Sequence, residues 1–561
     1  MGEIVVTTDA RPETEVEGIK RTSDSLRGDI ALELDNALPR VSNESEQLLK
    51  FHGIYAQDNR DVRRERTLAK ESLDYIFMIR VVIPGGKMTT DQWLALDQVS
   101  SNVADGTIRL TTRQAVQFHG VVKEGLRPLA RALDQELMAS FGACGDVVRN
   151  VVSCPSLETT HGDPRLSGIA ARLSRAFRPA TEAHWEIFVN GEKAASRGTV
   201  VERPFYGDTY LPRKFKIAVA HPDENCVDVL AQDVGLVPGE HPEAGVGLNL
   251  FVGGGLGRSY AHPTTFARLA DPMTFVTYDE VDEVIAAVIV TYKDLGDRTD
   301  RKRARMKYVV ADSGYETFRK EVEIRLGREL RAPLELPVHF DAADHLGWHD
   351  LANGAGQLGV RVSAGRVRDL EDGPRLRTAL RLIAHSMPVT FFITPQQDII
   401  ISHVPDAQRD VVESILRDHG VRLSDELGVV ERTALACPAL PTCSQALAES
   451  ERRLPELVDG LEGELGRRRL GRKSLQLRMT GCPNGCARPA VAEVGVVGRT
   501  KSTYDVYVGG GPRGDRLATL YREKVPFDQI GEVLGPLFDR WESEGGPDEP
   551  FGDFITRVGL T

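Results

Sequence analysis

Two strings recur along this chain in the same order. IRLTTRQAV, from Ile108, aligns with FFITPQQDI, from Phe391, and FVGGGLG, from Phe251, aligns with YVGGGPRG, from Tyr507; the displacements are 283 and 256 residues. Repeats of a strand-rich unit and of a glycine turn, both kept in order, describe two copies of a two-part unit. The length of 561 residues accommodates this, since single cores seldom exceed ~300 residues and domains of roughly 150 would number three or four. The two copies differ in charge. Arg109, Arg113 and His119 of the first stand where the second has Phe392, Gln396 and Ser402, so one cationic site with a degenerate twin is expected.

Local patterns fill in the unit. YIFMIRVVIPGG, from Tyr75, is β-branched and aromatic and ends in turn residues, which predicts a buried strand and a turn. TTDQWLALDQVSSNV carries apolar residues at helical spacing behind a Thr-Thr-Asp start, a capped helix. GTIRLTTRQAVQFHGV returns to strand character, and LGVRVSAGRV, PRLRTALRLIAHS and VTFFITPQQDIIISHV repeat strand, helix, strand. The first 45 or so residues are polar and irregular and read as an arm over the surface or a partner. GGGLG, at Gly253–255, does not complete G-x-G-x-x-G and reads as a tight turn near a pocket, not a nucleotide loop.

The net charge of -12 and pI near 5.7 offer no global attraction for nucleic acid or an anionic membrane. No apolar run approaches the roughly 18 to 20 residues that span a bilayer, and the N-terminus is acidic rather than signal-like, so a cytoplasmic protein without export signal is expected. Four of the seven cysteines form two pairs: Cys437 and Cys443 in ACPALPTC, Cys482 and Cys486 in TGCPNGC. In a large chain of this kind, paired cysteines point to metal rather than disulfides. Four thiolates suit a cubane iron–sulfur cluster, and zinc accepts the same ligands, although C-x5-C is wider than the usual zinc knuckle. LQLRMT before Cys482 alternates as a strand, and SQALAESERRLPELV reads as a helix starting at Cys443, whose first N–H groups would face the sulfurs. Cys144, Cys154 and Cys226 lack such pairing and read as core thiols.

The two cysteine pairs, with FHGIYAQDNRD, FMIRVVIPGG, GTIRLTTRQAVQFHG, RNVVSCP, TYLPRKFK, LNLFVGGGLG, GDRTDRKRARMKY and AEVGVVG, resemble the signature of the siroheme-containing sulfite and nitrite reductases over about nine-tenths of the chain. The resemblance implies an α+β fold with pseudo-twofold duplication: ferredoxin-like half-domains at 71–160 and 341–425, larger mixed α/β domains at 161–340 for siroheme and substrate and at 426–561 for the [4Fe-4S] cluster and siroheme, and an arm at 1–70. It implies one siroheme and one [4Fe-4S] cluster, the latter held by Cys437, Cys443, Cys482 and Cys486, with Cys486 also the axial ligand of the siroheme iron. Arg80, Arg149, Lys214 and Lys216 match positions around the substrate. Arg113, Gln117 and His119 match positions that contact the macrocycle or its carboxylates; Arg305 and Lys307 belong to that shell, and Asn484 lies beside the cluster.

A small dianion and a macrocycle with many carboxylates both require fixed cations, which fits basic motifs set in an acidic chain. The implied activity is six-electron reduction of sulfite to sulfide, in sulfate assimilation and cysteine biosynthesis. The paired lysines of RKFK favour the sulfite branch over nitrite; a non-catalytic iron–sulfur or zinc scaffold is the alternative of another class. No flavin or nicotinamide site is evident, so electrons come from a partner: an NADPH-oxidising flavoprotein α component, favoured by FHGIYAQDNRD and PGG, or ferredoxin, favoured by an early C-terminus. Two positions depart from the family pattern: Arg80 lacks the second basic residue common two places later, and Ala487 replaces a glycine.

Overall fold

The computed structural model describes residues 12–159, 163–179, 185–189, 192–197, 205–335, 340 and 344–560. Residues 1–11 of the expected arm, and short parts of segments 161–340 and 341–425, lie outside the described residues. Within the arm, Glu15–Thr22 is a helix that buries Glu17 and Lys20; Lys20 donates to Glu17 at 2.5 Å and lies 3.6 Å from Asp146.

Four five-stranded sheets carry the fold. The first is ordered β1 (Ile54–Asp58), β2 (Tyr75–Val81), β5 (Val116–Val121), β4 (Ile108–Leu110), β15 (Arg366–Val367), and the second is β13 (Gly347–Asp350), β14 (Gly356–Val360), β17 (Ile399–Val404), β16 (Thr390–Ile393), β3 (Lys87–Thr89). Each half therefore lends a short strand to the other: β15 pairs with β4 through Arg366 and Arg109, and β3 pairs with β16 through Thr89 and Thr390. One apolar core serves both sheets, joining Phe77, Ile79, Ile108 and Phe118 to Leu358, Phe391 and Ile401. The helix Thr90–Val103 starts with the expected cap, Thr89 and Gln92 exchanging side-chain and backbone bonds, and buries Trp93, Leu96 and Val99. Its partner in the other half is Leu376–Ser386.

The two larger sheets run β6 (Val152–Ser153), β9 (Ile217–Val219), β10 (Val234–His241), β11 (Gly245–Val252), β12 (Asp271–Thr277), and β18 (Leu435–Ala436), β19 (Leu477–Thr480), β20 (Val494–Gly498), β21 (Thr503–Val508), β22 (Thr519–Pro526). In both, the first two pairings are parallel and the last two antiparallel. This is the duplication expected from the repeated strings, and the fold is the mixed α and β, pseudo-twofold arrangement. The recurrent glycine turn comes directly after β11 and β21. A separate hairpin joins β7 (Trp185–Val189) to β8 (Glu192–Arg197). Among the described residues, no helix is long and apolar enough to cross a membrane.

Candidate active site

The pleat of the first sheet separates its apolar and polar residues. Ile79 and Val81 of β2, Ile108 and Leu110 of β4, and Val116 and Phe118 of β5 enter the core, so the alternate residues Arg80, Arg109, Gln117 and His119 share the opposite face. Arg80 and Gln117 are register partners; with the Gln117 amide oxygen turned toward it, Arg80 Nε donates at 3.1 Å. Arg80 Nη1 donates to Cys144 Sγ at 2.8 Å. Cys144, expected as an inert core thiol, is buried but bonded to a pocket arginine. Arg109 does not belong to the open cationic face: it donates to Glu451 at 3.0 Å and to the Leu110 and Ala436 carbonyls at 2.6 and 2.7 Å, bracing the first sheet against the last. His119 is 2 % exposed and, among the described residues, neither ring nitrogen has a partner; burial, then the nearby Arg366 charge, holds its pKa well below the ordinary histidine value.

The loop between β4 and β5 aims Arg113 across the domain boundary. Gln114 takes a positive φ of 51°, and Thr111 Oγ1 accepts from the backbone of Arg113 and Ala115 at 3.3 and 3.2 Å. Arg113 donates to Gln232 at 3.0 Å and to the Asn150 carbonyl at 2.5 Å, while its buried Nε has no partner among the described residues. Burial, then Arg149, lowers its pKa to about 9.

Lys214 and Lys216 flank Phe215, whose backbone bonds to Val147 and Arg149 at 3.0 and 2.9 Å. Phe215 is fully buried, and strand alternation leaves both lysines, half-buried, on the other side. Burial pushes both ammonium pKa values well down; for Lys214 the next cause is Lys216, and for Lys216 it is Arg305, with Arg149 acting on both. Among the described residues neither lysine has a hydrogen-bond or ion-pair partner. Arg149 is held through the Gly145 carbonyl at 3.1 and 3.2 Å. Asp233 is already bound to Arg305 at 2.9 and 3.0 Å, and Asp146 to Arg301 at 2.9 and 3.1 Å. The structure thus gathers Arg80, Arg113, Arg149, Lys214, Lys216 and Arg305 with too few anions to neutralise them, which is the electrostatic imprint of an anion.

Lys307 is a different case. Its ammonium donates to the carbonyls of Gly255 and Gly257 at 3.0 and 2.7 Å and to that of Phe266, so its three protons are used in holding the glycine turn rather than directed at a carboxylate. Burial lowers its pKa to about 6. The turn requires its glycines: a Cβ on Gly254 would lie 2.2 Å from the Leu230 carbonyl oxygen, and one on Gly257 3.0 Å from that of Asn484. Lys307 thereby positions the loop that meets the last cysteine pair.

That pair comes after β19, as expected. Thr112 Oγ1 donates to the Cys486 carbonyl at 3.0 Å, and the Arg258 amide donates to the Pro483 carbonyl at 2.9 Å. Cys437 comes directly after β18, and the Gly481 amide donates to its sulfur at 3.3 Å. Arg60, in the QDNRD string, donates to the carbonyls of Cys443 and Ala446 at 3.2 and 2.6 Å. The expected helix at Cys443 is absent; Leu454–Arg467 begins eleven residues later. Residues between them are held instead as turns, Leu447 and Ala448 amides both reaching the Gly481 carbonyl at 2.8 and 3.0 Å, with Pro455 at the true helix start. The Ala446 amide donates to the Cys443 carbonyl at 3.1 Å within this turn.

Burial, then mutual repulsion with Cys486, raises the thiol pKa of Cys437, and that of Cys482 to about 12, with the Asn484 backbone and side chain opposing the latter. Holding these sulfurs as thiolates demands a strongly cationic guest. Among the described residues, no three of the four sulfurs fall within 4.8 Å of one another, whereas one tetrahedral ion at ~2.3 Å bonds needs them about 3.8 Å apart. The spread suits a polynuclear cluster, and the unpartnered buried nitrogens of Arg113, His119 and Arg305 suit a large polar prosthetic group beside it.

Comparison with known proteins agrees with this geometry. The Nitrite and sulphite reductase 4Fe-4S domain matches residues 170–330 and 429–561, and the Nitrite/Sulfite reductase ferredoxin-like half domain matches 69–136. The chain belongs to the nitrite and sulphite reductase family. Among its curated relatives is the sulfite reductase [NADPH] hemoprotein beta-component of Chromohalobacter salexigens, 42% identical over 97% of this chain and 95% of that one. The protein of the same name from Myxococcus xanthus is 42% identical over 98% and 97%. The solved structure of Mycobacterium tuberculosis NirA protein superposes with a TM-score of 0.79 at 26% identity, covering 97% and 96%.

Sequence reasoning missed Arg60, Thr112, Asn150, Gln232, Asp233 and Glu451, which hold the site together through backbone carbonyls or buried ion pairs. Asn150 is typical: its amide donates to the Ile83 and Arg113 carbonyls, both at 2.8 Å. Such residues carry no spacing signal.

Proposed function

We propose that this chain is the catalytic hemoprotein of an assimilatory sulfite reductase, reducing sulfite to sulfide in sulfate assimilation and cysteine biosynthesis, with electrons from an NADPH-oxidising flavoprotein partner in the cytoplasm. The observation that carries it is the pair of lysines, Lys214 and Lys216, without partners among the described residues and set among arginines, in a chain that also carries a four-cysteine site. The relatives' names supply the substrate and the donor.

Cys437, Cys443, Cys482 and Cys486 would hold the [4Fe-4S] cluster, Cys486 would also ligate the siroheme iron, and Arg113, Gln117, His119 and Arg305 would meet the macrocycle. When bound, siroheme and cluster supply the iron site and the electrons. Arg80 and Arg149 present fixed guanidinium N–H groups to the oxygens of the anion, and Lys214 and Lys216 offset its second charge. Breaking three S–O bonds consumes protons as well as electrons. Lysines with lowered pKa release protons more readily than ordinary ones, which suits Lys214 and Lys216 as donors to the leaving oxygens, with bulk water recharging them. Lys307 and Asn484 serve as positioning residues for the loops around Cys486.

The test is anaerobic turnover of the purified holoenzyme, with sulfite or nitrite as acceptor and either NADPH plus the flavoprotein or reduced ferredoxin as donor. Sulfide production from sulfite with the NADPH system is expected. Turnover only with nitrite would overturn the substrate, and turnover only with ferredoxin would overturn the donor.

A further inference from the structure

The middle sheet carries a second set of metal-type ligands. Cys154, Glu224, Cys226 and His345 each place one donor atom within 4.8 Å of all the others. Cys154 Sγ donates to Glu224 Oε1 at 2.6 Å, and His345 Nε2 lies 3.9 Å from both of these atoms. The two cysteines are 0 % and 1 % exposed and His345 8 %, and Glu224, part-buried, closes the set at its outer side. His345 holds a φ of 57°, in the left-handed region that a non-glycine residue rarely adopts. Its carbonyl fixes it there against Gly359, where an added Cβ would lie 1.8 Å from that oxygen. Strain kept by close packing at a cluster of ligand-type side chains is a mark of a built site.

The duplicated framework explains why two thiols stand here. Cys154 directly succeeds β6 as Cys437 directly succeeds β18. Cys226 precedes Asp233-Val-Gly by seven residues, and Cys486 precedes Glu493-Val-Gly by the same seven. Cys154 and Cys226 therefore occupy the positions of Cys437 and Cys486 in the other half. The remaining two cysteines of the C-terminal half have no counterpart, and Glu224 and His345 complete the set instead. Cys154 and Cys226 are core thiols as expected, but ligand-type side chains lie beside them.

The geometry points to a mononuclear zinc site formed by Cys154, Glu224, Cys226 and His345. Two sulfurs, one imidazole nitrogen and one carboxylate oxygen form a closed tetrahedral donor set of the kind zinc takes, and bonds of about 2.0 to 2.3 Å put neighbouring donors roughly 3.3 to 3.8 Å apart. Binding releases the two thiol protons, and any proton on the His345 nitrogen that binds, to solvent, and involves no change of oxidation state. The resulting single negative charge lies near Arg488, which donates to the Val227 carbonyl, next to Cys226, at 3.1 Å. Because His345 leads directly into β13, the ion would clip the second half-domain to the middle sheet.

Elemental analysis of the anaerobically purified holoenzyme, from cells supplied with zinc, tests this. About one zinc per chain is expected alongside the iron. Zinc-edge X-ray absorption should show two sulfurs near ~2.3 Å and two lighter atoms near ~2.0–2.1 Å. Cys226→Ser and His345→Gln should each lose the zinc while keeping iron content and the siroheme spectrum. If those variants fail to fold, the wild-type stoichiometry and edge spectrum decide alone. Zinc below about a tenth per chain, with none taken up when the holoenzyme is titrated with zinc chloride, would overturn the site. So would a zinc shell without sulfur, or a further iron in its place that is lost in the variants.

Discussion

The middle and C-terminal sheets have the same strand order and the same sense of every pairing, yet the residues at their strand ends differ in kind. Two thiols recur in both, after β6 and beyond β9, after β18 and beyond β19. In the C-terminal sheet two more cysteines spread the donors beyond the reach of one ion, and the Gly481 amide points at the Cys437 sulfur. In the middle sheet the donors close up within 4.8 Å, and the segment entering β9 carries Lys214 and Lys216 instead. Duplication thus supplied a rigid frame twice, and a few substitutions gave one copy a four-cysteine site and the other a cluster of buried cations. The chemistry resides in residues grafted on equivalent strand ends rather than in the fold.

If this division holds, the largest effect will come from the C-terminal side. Cys486→Ser should abolish sulfite reduction and lower iron from about five atoms per chain to about one or fewer, read by iron analysis and the visible spectrum. On the middle side, Lys216→Met should leave iron and colour intact while lowering kcat/KM for sulfite by ~10²–10³-fold. Loss of colour in that variant would break the comparison. Glu451 joins the C-terminal side to the first sheet, receiving Arg109 at 3.0 Å and Arg366 at 2.7 Å. Burial alone would raise its pKa, but Arg366 and then Arg109 outweigh that and hold it at about 2, against an ordinary 4.5. Its contribution is therefore full above pH 4.5 and lost as pH falls toward 2. Glu451→Gln should cost about 3 kcal/mol near neutrality, and the gap in unfolding midpoint from wild type should narrow steadily from about pH 5 to about pH 3. The smallest change is Thr112→Val, which removes the bond to the Cys486 carbonyl and should cost ~0.5–1 kcal/mol, measured as earlier bleaching on heating with turnover little altered.

Much of this was legible in the sequence because the informative features are periodic or spaced. The β-branched, aromatic run YIFMIRV announced a buried strand; the echo at 283 residues announced two similar sheets; the four cysteines stood out by their pairing. Arg109 misled because its charge suggested an open face while its partners, Glu451 and Ala436, lie more than 300 residues away. The helix expected at Cys443 failed because turns tied to Gly481 competed with a good helical pattern and won. Cys154 and Cys226 gave no signal, since their companions Glu224 and His345 meet them only when three distant segments are packed.

The exchange of β3 and β15 governs the order in which the protein comes into being. The first sheet has four of its strands once Val121 has left the ribosome, but the edge beside β4 waits for Arg366, some 245 residues later. At ~5–20 residues per second that edge stays open for roughly 12 to 50 seconds. During that interval it is an unpaired strand template, so a nascent chain is most exposed to chaperones, or to a neighbouring copy of itself, before its second half emerges.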